Sequence, residues 1–424
     1  MIYNKPRLLI LSHIFPFFIK SGQQQRVYYT LKAIRRFFNV TFLAPVYTKN
    51  MQEIKEKMLT LCDDVILFPS RYFQTKITKI WHKMIGTFYR LNTGLKLSNY
   101  IIGELDFAPE HVESLLKNIN FDCILFEYWH AVKCVSVFHK RGIPCILDMH
   151  DIQWQTYSQY LTYKSYIPKF LKNQFFSKYK KQEEEAWQQF DAIIAINLLD
   201  YEYVYSKVKS NIKVFYLPMG TDLKLWSYSW QPTDSPIIGY YGGLGGIQNQ
   251  RASVICYKEI MPIIWNKYPN AELWFIGSNP PSFLFKLSKK DSRVKVTGYI
   301  ERVWEVLKKI WVIVCPFIGT YGFRSRLVEV MALGIPVVAS PDAVYGMGME
   351  INKGVFIEKS SERMAEVCLH LLSDREFAKK QSQLARLQIE EKFSFEATYE
   401  RFSKELFEFV IEFNKHKNIL YEKN

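Results

Sequence analysis

Short apolar runs alternate with amphipathic stretches along most of this chain of 424 residues. Glycine, proline or polar residues bound the runs, which is typical of strands buried on both faces of a parallel sheet. The stretches between them place apolar residues at spacings of three and four, which predicts helices. This alternation predicts an α/β protein with doubly wound parallel sheets. The predicted strands are Leu8–Ser12, Asn39–Ala44, Phe121–Phe126, Cys145–Asp148, Ala192–Ile196, Val214–Leu217, Pro236–Tyr241, Glu272–Ile276, Val294–Val296, Val312–Pro316, Val337–Ala339 and Val355–Ile357.

Helices are predicted between these strands, and glycine-bearing turns precede two of them. The turn His13–Gln25 contains Gly22, and the turn Gly242–Asn249 contains four glycines. Open α/β sheets bind ligands at such strand–turn–helix junctions, outside the carboxyl ends of the strands. The predicted helices include Arg26–Phe37, Glu183–Phe190, Gln250–Lys267, Glu301–Lys309, Arg324–Leu333 and Phe395–Ile411.

The segment Phe317–Ser340 carries the most chemical information in the sequence. It predicts a glycine-bearing loop and then a helix that stops at Gly334, because glycine suits the residue after a helix. The first helical turn carries Arg324 and Arg326, although the helix dipole favours acidic residues there. A phosphate bound between the two cations would account for them, since the free N–H groups of a helix start also bind anions.

Two more residues fit such a site. Gly322 would let a phosphate approach the backbone, and Glu329 could accept paired hydrogen bonds from the hydroxyls of a ribose. From the residues alone, a solvated helix start with an amphipathic glutamate explains this pattern equally well, because short motifs often match by chance.

The run GluValMetAlaLeuGlyIleProValValAlaSer, residues 329–340, resembles the Glu-Ala-Met-Ala-x-Gly-x-Pro-Val-Val signature of the retaining glycosyltransferases of family 4. The preceding GlyPheArgSerArgLeuValGlu is similar to a subgroup with Gly-x-Arg-x-Lys before the glutamate, with Arg326 in place of the lysine. The resemblance implies a GT-B fold, in which two Rossmann-like domains face a deep cleft. It also implies that Glu329 contacts the donor ribose and that Gly322, Arg324 and Arg326 belong to the donor site.

The chain departs from the family at the first of two glutamates that are commonly separated by seven residues, as Tyr321 and Glu329 are here. Glu329 matches the second glutamate, whereas Tyr321 stands at the first position. The resemblance therefore puts Tyr321 in the donor site without giving it the sugar-recognising role of a glutamate. The family's usual Arg and Lys pair for the diphosphate is also not evident. This role is assigned to Arg324 and Arg326, and Arg251 is the alternative.

Five other residues match family positions. Gly22 and Gln23 match a loop that faces the donor diphosphate, and Gly243 and Asn249 match the start of the donor domain. His150 matches a histidine near the transferred sugar and is predicted as the catalytic residue. From the residues alone, a hydrogen-bonded structural histidine is the alternative for His150.

The resemblance also divides the chain, because residues 217–222, LeuProMetGlyThrAsp, are similar to the Pro-Asn-Gly-x-Asp of the family's domain junction. Residues 1–218 are predicted to form an acceptor-binding Rossmann-like domain. Residues 219–394 are predicted to form the domain that binds the nucleotide-sugar. Residues 395–424 are predicted to form a helix that crosses back to the first domain.

The formal charge of +15 favours an anionic partner: a phosphorylated substrate, an acidic membrane surface or nucleic acid. The seven scattered cysteines lack zinc spacing, which is typical of reduced thiols in a cytoplasmic protein. No spanning helix is predicted, because no uncharged apolar run reaches roughly 18 residues. Arg7–Ile19 is interrupted by Pro16 and lacks a small-residue cleavage site, so it is predicted as a strand and loop rather than a signal peptide.

Two basic segments rich in aromatic residues, 71–96 and 160–181, have no counterpart in the family. No acidic residue occurs from Val65 to Gly103 or from Ile152 to Gln182. Their apolar spacing predicts basic amphipathic helices. Such helices suit the surface of an anionic membrane, and helices that cover the core with a solvated lysine face are the alternative.

The resemblance implies a metal-independent, hexosyltransferase-type retaining enzyme. It would move a sugar from a nucleotide-sugar to a glycan or lipid-linked acceptor in bacterial surface polysaccharide or glycolipid synthesis. No cofactor, metal or nucleic acid is expected, and the predicted location is cytoplasmic and peripheral at the inner face of the cell membrane. A GT-B epimerase or phosphorylase is an alternative enzyme. The alternative from another class is a degenerate GT-B protein that binds anionic membranes or nucleic acid.

Overall fold

The computed structural model describes residues 5–17, 19, 21–47, 50–319 and 322–422, with side chains described as far as residue 415. The chain forms two compact units. The first unit consists of Met1–Leu217 and Tyr399–Asn424, and the second consists of Pro218–Thr398. Each unit has its own parallel sheet and its own hydrophobic core.

The first unit contains a seven-stranded parallel sheet with the strand order β3-β2-β1-β4-β5-β6-β7. Its buried strands are nearly all apolar, as expected when helices cover both faces. The strands are β1 Arg7–Leu11, β2 Asn39–Val46, β3 Asp64–Pro69, β4 Cys123–Glu127, β5 Cys145–Asp148, β6 Ala192–Ala195 and β7 Lys213–Tyr216.

Nine helices follow these strands in the described part of the chain before residue 217. Single 3₁₀ turns at Arg71–Phe73 and Trp129–Cys134 and a π turn at Ile101–Asp106 accompany them. The helices are α1 Gly22–Ile34, α2 Met51–Leu59, α3 Lys76–Thr93, α4 Leu97–Tyr100, α5 Pro109–Leu115, α6 Val135–His139, α7 Gln153–Thr162, α8 Lys169–Trp187 and α9 Leu198–Lys207.

The second unit contains a six-stranded parallel sheet with the strand order β10-β9-β8-β11-β12-β13. A π turn at Cys256–Ile260 joins its first two helices into one run, as the sequence predicts for Gln250–Lys267. The strands are β8 Ile237–Tyr241, β9 Glu272–Ile276, β10 Val294–Gly298, β11 Val312–Cys315, β12 Val337–Ala339 and β13 Val355–Ile357. The helices are α10 Ile247–Ile255, α11 Met261–Lys267, α12 Ser282–Lys290, α13 Trp304–Leu307, α14 Ser325–Ala332, α15 Ser361–Ser373 and α16 Arg375–Lys392, with a 3₁₀ turn at Pro341–Val344.

The last helix, α17 Arg401–Glu422, follows a π turn at Glu396–Glu400 and packs within the first unit. An aromatic side chain of this helix contacts one of the sheet, and an aromatic side chain of the preceding turn contacts one of α1. The ring of Phe402 lies 5.7 Å from that of Phe215, and the ring of Tyr399 lies 5.4 Å from that of Tyr29. The chain therefore returns to the first unit after completing the second.

All the predicted strands form, but one further strand was missed and the start of one helix was predicted wrongly. Strand β3 was not predicted, because it is an edge strand that begins with an acidic residue and is only partly buried. Helix α1 begins at Gly22 rather than at Arg26, because Ser21 caps it by accepting a hydrogen bond from the backbone N–H of Gln24. Gly22 and Gln23 are therefore in the first helical turn and not in a loop.

Two predictions from composition agree with the structure. All seven cysteines are buried and none forms a disulfide. Within the residues that the structure describes, no helix has the length and apolar character needed to cross a membrane.

Candidate functional site

The glycine turn of the second unit is held in place by Asn249. Strand β8 leads into Gly242–Gly246, and α10 follows directly. The Asn249 side chain donates to the carbonyl oxygen of Gly243 at 2.8 Å and accepts from the hydroxyl of Tyr240 at 2.6 Å. Both ends of the amide therefore act within the protein. The structure places Asn249 as a brace of the turn, although the sequence predicted it as a donor-binding residue.

Open space surrounds the turn at Gly243. Among the residues that the structure describes, a Cβ atom built there would meet no atom beyond its chain neighbours within 4 Å, so the backbone is accessible at this point. The base of the turn is tight, because a Cβ atom on Gly277 would lie 1.8 Å from the carbonyl oxygen of Gly242. The turn thus combines a fixed base with an exposed backbone, which suits the close approach of a ligand.

The loop before α14 positions Arg324. After β11, the backbone N–H of Gly319 donates to Asp342 at 2.8 Å, and Gly322 adopts a φ of +67°. The guanidinium of Arg324 lies 3.7 Å from the ring centroid of Phe317 and donates to the carbonyl oxygen of Gly319 at 3.3 Å. Stacking and hydrogen bonding together hold this cation beside the start of the helix. Tyr321, the other predicted residue of the loop, lies outside the described residues.

Arg326, Glu329 and Tyr241 form one hydrogen-bonded cluster. One nitrogen of Arg326 donates to both carboxylate oxygens of Glu329, at 2.8 and 2.7 Å, and to the hydroxyl of Tyr241 at 3.2 Å. The Tyr241 hydroxyl donates to Glu329 at 3.0 Å. Only 2% of the Glu329 side chain is exposed, against 35% for Arg326. The nearby carboxylate raises the pKa of Arg326 above its ordinary value, so this residue stays a cation.

These contacts give different surroundings to Arg324 and Arg326, which the sequence assigned to the same phosphate site. The charge of Arg326 neutralises a buried carboxylate one turn along the same helix. Arg324 instead lies beside Gly322. A Cβ atom built on Gly322 would lie 3.7 Å from the Arg324 guanidinium. Arg251, which follows the glycine turn, lines an open depression of about 550 Å³ with apolar neighbours such as Ile247 and Phe283.

The first unit gathers a second polar cluster at the carboxyl ends of β4 and β5. Glu127 and Asp148 end these strands and are partners in the parallel register. Arg26, on α1, donates through Nε to both oxygens of Asp148 at 2.9 and 2.8 Å, and through Nη1 to the carbonyl oxygen of Leu217 at 2.8 Å. Both side chains of this ion pair are fully buried. Burial disfavours the charge on Arg26, but Asp148 outweighs it and raises the Arg26 pKa overall.

His150 lies against this ion pair and is paired with Glu127 through Nε2. The His150 ring stacks on Tyr128, with centroids 4.3 Å apart and planes 11° apart. The backbone φ angle is +58° at His150 and +70° at Tyr128. Such positive angles strain residues that carry a side chain, and strained residues of this kind cluster at functional sites. Gln23 donates to the Tyr128 hydroxyl. The structure therefore brings the predicted residues His150 and Gln23 into one cluster.

Unsatisfied polar atoms mark the same cluster. His13 Nδ1, Arg26 Nη2 and Glu127 Oε1 are buried and have no hydrogen-bond partner among the described residues. Buried polar atoms are normally paired, so a ligand or an ordered water is expected to complete them. Burial raises the pKa of Glu127, although its partner His150 opposes this.

Sequence analysis missed Glu127 and His13 as members of this cluster. A signal for both was present, since Glu127 ends the apolar run CysIleLeuPheGlu and His13 closely follows β1, which pairs with β4. Polar residues at the carboxyl ends of adjacent parallel strands meet at one edge of the sheet.

Glu127, Asp148 and His150 also offer ligand atoms within 4.8 Å of one another, as His139, Cys145 and Asp191 do elsewhere in the described chain. In the first group, the Arg26 guanidinium already contacts both oxygens of Asp148 and would repel a cation. The group fits an ion-pair network better than a metal site. The predicted absence of a metal stays a prediction.

The partly buried His13, whose Nδ1 atom is shielded from solvent, should make the first unit acid-sensitive. Burial, and secondly the charge of His150, lower the pKa of His13 from 6.5 to about 4. Between these values the unfolded chain binds a proton that the folded chain does not, so stability falls as the pH falls through this window. His13→Phe should therefore remove about 1–3 kcal/mol of the stability loss between neutral pH and pH 4.5.

This expectation is checked by urea unfolding at the two pH values. His139→Phe is the control, because His139 is 41% exposed and lies at the other end of the sheet strands, near Asp191. Equal acid sensitivity in the wild-type chain and in His13→Phe would contradict the expectation.

Residues 235–374, which include the glycine turn and α14, match the family model described as Glycosyl transferases group 1. A search of curated proteins found no match to the sequence.

Solved structures resemble the whole chain at low sequence identity. Sucrose-phosphate synthase from Thermosynechococcus elongatus is 15% identical with a TM-score of 0.64, and the alignment covers 99% of this chain and 100% of that one. HepE from Anabaena in complex with UDP-glucose is 13% identical with a TM-score of 0.62, covering 95% and 99%. A mutant of S. aureus TarM in complex with Fondaparinux, alpha-GlcNAc-glycerol and UDP is 13% identical with a TM-score of 0.61, also covering 95% and 99%.

At these identities the structural likeness establishes the fold, which is the GT-B fold with two Rossmann-like domains that the sequence predicts. Together with the match over residues 235–374, the likeness supports an enzyme of the glycosyltransferase type. Placement in family 4 stays a prediction.

Proposed function

We propose that this protein is a retaining glycosyltransferase that takes a sugar from a nucleotide-sugar bound by the second unit. The observation that carries this proposal is the start of α14, where Arg324 and the cluster of Arg326, Glu329 and Tyr241 lie within the segment that matches the family. This arrangement offers a cation and the amino end of a helix to a diphosphate, and a buried carboxylate to a ribose diol.

Within this proposal, Arg324 and the amino end of α14 stabilise the charge that develops on the departing nucleoside diphosphate. Electrostatic stabilisation of a leaving group by pre-positioned donors is commonly a large part of catalysis. Arg326 and Tyr241 act on Glu329 and hold its carboxylate in one orientation. The proposed reaction needs no metal, because Arg324 supplies the positive charge.

His150 is the proposed catalytic residue of the first unit, where it would bond to the sugar or orient the acceptor. Glu127 is the proposed positioning residue, since it accepts from His150 Nε2 when that nitrogen carries its proton and leaves Nδ1 as the acceptor of the neutral ring. The proposed acceptor is a glycan or a lipid-linked sugar, as in the synthesis of surface polysaccharides or glycolipids. The complex of TarM with alpha-GlcNAc-glycerol supports an acceptor of this kind.

The test is thermal unfolding in the presence of UDP-, GDP-, ADP- and CMP-sugars, each with a chelator. One nucleotide should raise the unfolding midpoint selectively, because a ligand that binds only the folded chain stabilises it. Glu329→Gln should weaken the binding of that donor about 10- to 100-fold, the usual value of a hydrogen bond to a charged group. The proposal is wrong if no nucleotide-sugar stabilises the wild-type chain.

Glu366→Gln is the matched control for Glu329→Gln. Glu366 also pairs with an arginine three residues away, Arg363, but that pair is exposed on α15. The control should bind the donor as the wild-type chain does. Analysis of the product anomer by NMR tests retention, and loss of turnover in the chelator would contradict metal independence.

A further inference from the structure

An exposed apolar stripe runs along α3 in the first unit, and the proposed transfer reaction does not use it. At 100° per residue, its members fall within one arc of the helix surface. All are between 53% and 80% exposed, and contiguous apolar surface of this kind marks interaction sites. The stripe consists of Ile77, Ile80, Trp81, Met84, Phe88 and Leu91.

The stripe is not the face by which α3 packs on the protein. Ile85 and Tyr89 form that face and pack on the buried residues Tyr72, Tyr100 and Leu105. The centres of the packed and exposed faces lie roughly 110° apart around the helix axis. The face with Ile85 and Tyr89 therefore covers the core of the first unit. The stripe has no such role.

Positive charge occupies a third face of α3. Lys76, Lys79 and Lys83 fall in one arc that borders the stripe on the side away from the packed face. Arg90 falls in the same arc, but its guanidinium lies 5.4 Å from the centroid of the Phe175 ring on α8 and faces the protein. No acidic residue occurs in α3. Long cationic side chains beside an inserted apolar face can extend their charged ends to anionic headgroups.

The second basic segment is connected to α3 through α8. Lys178 and Gln182 on α8 donate to the carbonyl oxygens of Leu91 at 3.3 Å and Thr93 at 3.0 Å, so α8 packs beside the carboxyl end of α3. The segment 163–172, at and before the start of α8, contains Tyr166 and Phe170, which are 74% and 70% exposed. Its cations are Lys164, Lys169 and Lys172.

We propose that α3, together with segment 163–172, docks this protein on the surface of an anionic lipid bilayer. The stripe would enter the boundary between headgroups and acyl chains, and the lysines would contact the headgroups. Nucleic acid fits less well, because the stripe is mainly aliphatic and nucleic-acid interfaces are polar. A second copy fits less well, because two such faces would place like charges together with no acidic residue of α3 to pair them.

The test is cosedimentation with vesicles of phosphatidylcholine, alone and mixed with phosphatidylglycerol. The wild-type chain should bind the mixed vesicles selectively, and added salt should weaken this binding. The double variants Trp81→Ser/Phe88→Ser and Lys79→Gln/Lys83→Gln should each weaken binding at least about tenfold.

Matched controls come from the second unit. Tyr299→Ser/Ile351→Ser removes exposed apolar side chains, and Lys289→Gln/Lys290→Gln removes the same net charge from exposed positions. Both should bind vesicles as the wild-type chain does. Circular dichroism and donor-induced stabilisation should be unchanged in all four variants, which separates this proposal from the proposed transferase function.

Three results would overturn the proposal. The first is equal binding to neutral and anionic vesicles, or binding to neither. The second is vesicle binding that survives Trp81→Ser/Phe88→Ser. The third is evidence for another partner. This would be a wild-type dimer in sedimentation velocity that Trp81→Ser/Phe88→Ser abolishes, or salt-sensitive RNA binding that displaces the vesicles.

Discussion

Arg324→Ala is expected to lower kcat/KM for the nucleotide-sugar by about 100- to 1,000-fold, the usual cost of removing one donor that stabilises a leaving group. The reason is geometric. The Arg324 guanidinium is held by the Phe317 ring and the Gly319 carbonyl beside the start of α14, whereas the Arg326 guanidinium is paired with Glu329. The effect should appear mainly in kcat, because charge on the leaving group develops in the transition state.

Steady-state kinetics with the donor identified by thermal unfolding would measure this effect. Arg363→Ala is the control, because it removes an arginine of the same unit from an exposed pair on α15. Arg326→Ala should behave differently, since it leaves the buried Glu329 without its cation and should lower the unfolding midpoint as well as activity. Equal kinetic losses in Arg324→Ala and Arg363→Ala would rule out the assigned role of Arg324.

Arg26→Met is expected to lower the free energy of unfolding of the first unit by about 3–5 kcal/mol, the cost of leaving a buried charge unpaired. Arg26 and Asp148 are both fully buried, and Arg26 also bonds to the carbonyl oxygen of Leu217. Removing the guanidinium would strand the Asp148 carboxylate and one backbone oxygen away from water. Urea unfolding at neutral pH would measure the loss.

Two further variants make this result interpretable. Arg35→Met removes an arginine from the pair with Asp63, whose side chains are 35% and 40% exposed, and should cost less than about 1 kcal/mol. The double variant Arg26→Met/Asp148→Leu should recover much of the loss, because no unpaired charge remains buried. A double variant as unstable as Arg26→Met alone would show that packing, and not charge, dominates at this position.

The sequence alone determined the architecture, because buried parallel strands must be apolar on both faces. Because of that constraint, β1, β4, β8 and β11 can be recognised in the sequence as short apolar runs. The alternation of these runs with helices predicts the doubly wound sheets. Strand β3 lies at the edge of its sheet and was not predicted, because only part of its surface is buried.

The sequence also located the start of α14, because its signals are local. Gly322, Arg324, Arg326, Glu329 and the stop at Gly334 lie within one segment. Capping preferences and the helix dipole act over a single turn, so they can be inferred from neighbouring residues.

Only the tertiary structure decided which partners these residues meet. Glu329 bonds to Tyr241, 88 positions away, and Arg26 bonds to Asp148, 122 positions away. Likewise, spacing predicts an amphipathic α3 but cannot say which face is covered. Sheet register and helix packing bring distant residues together, and these depend on the whole chain, whereas periodicity and capping depend on a few successive residues.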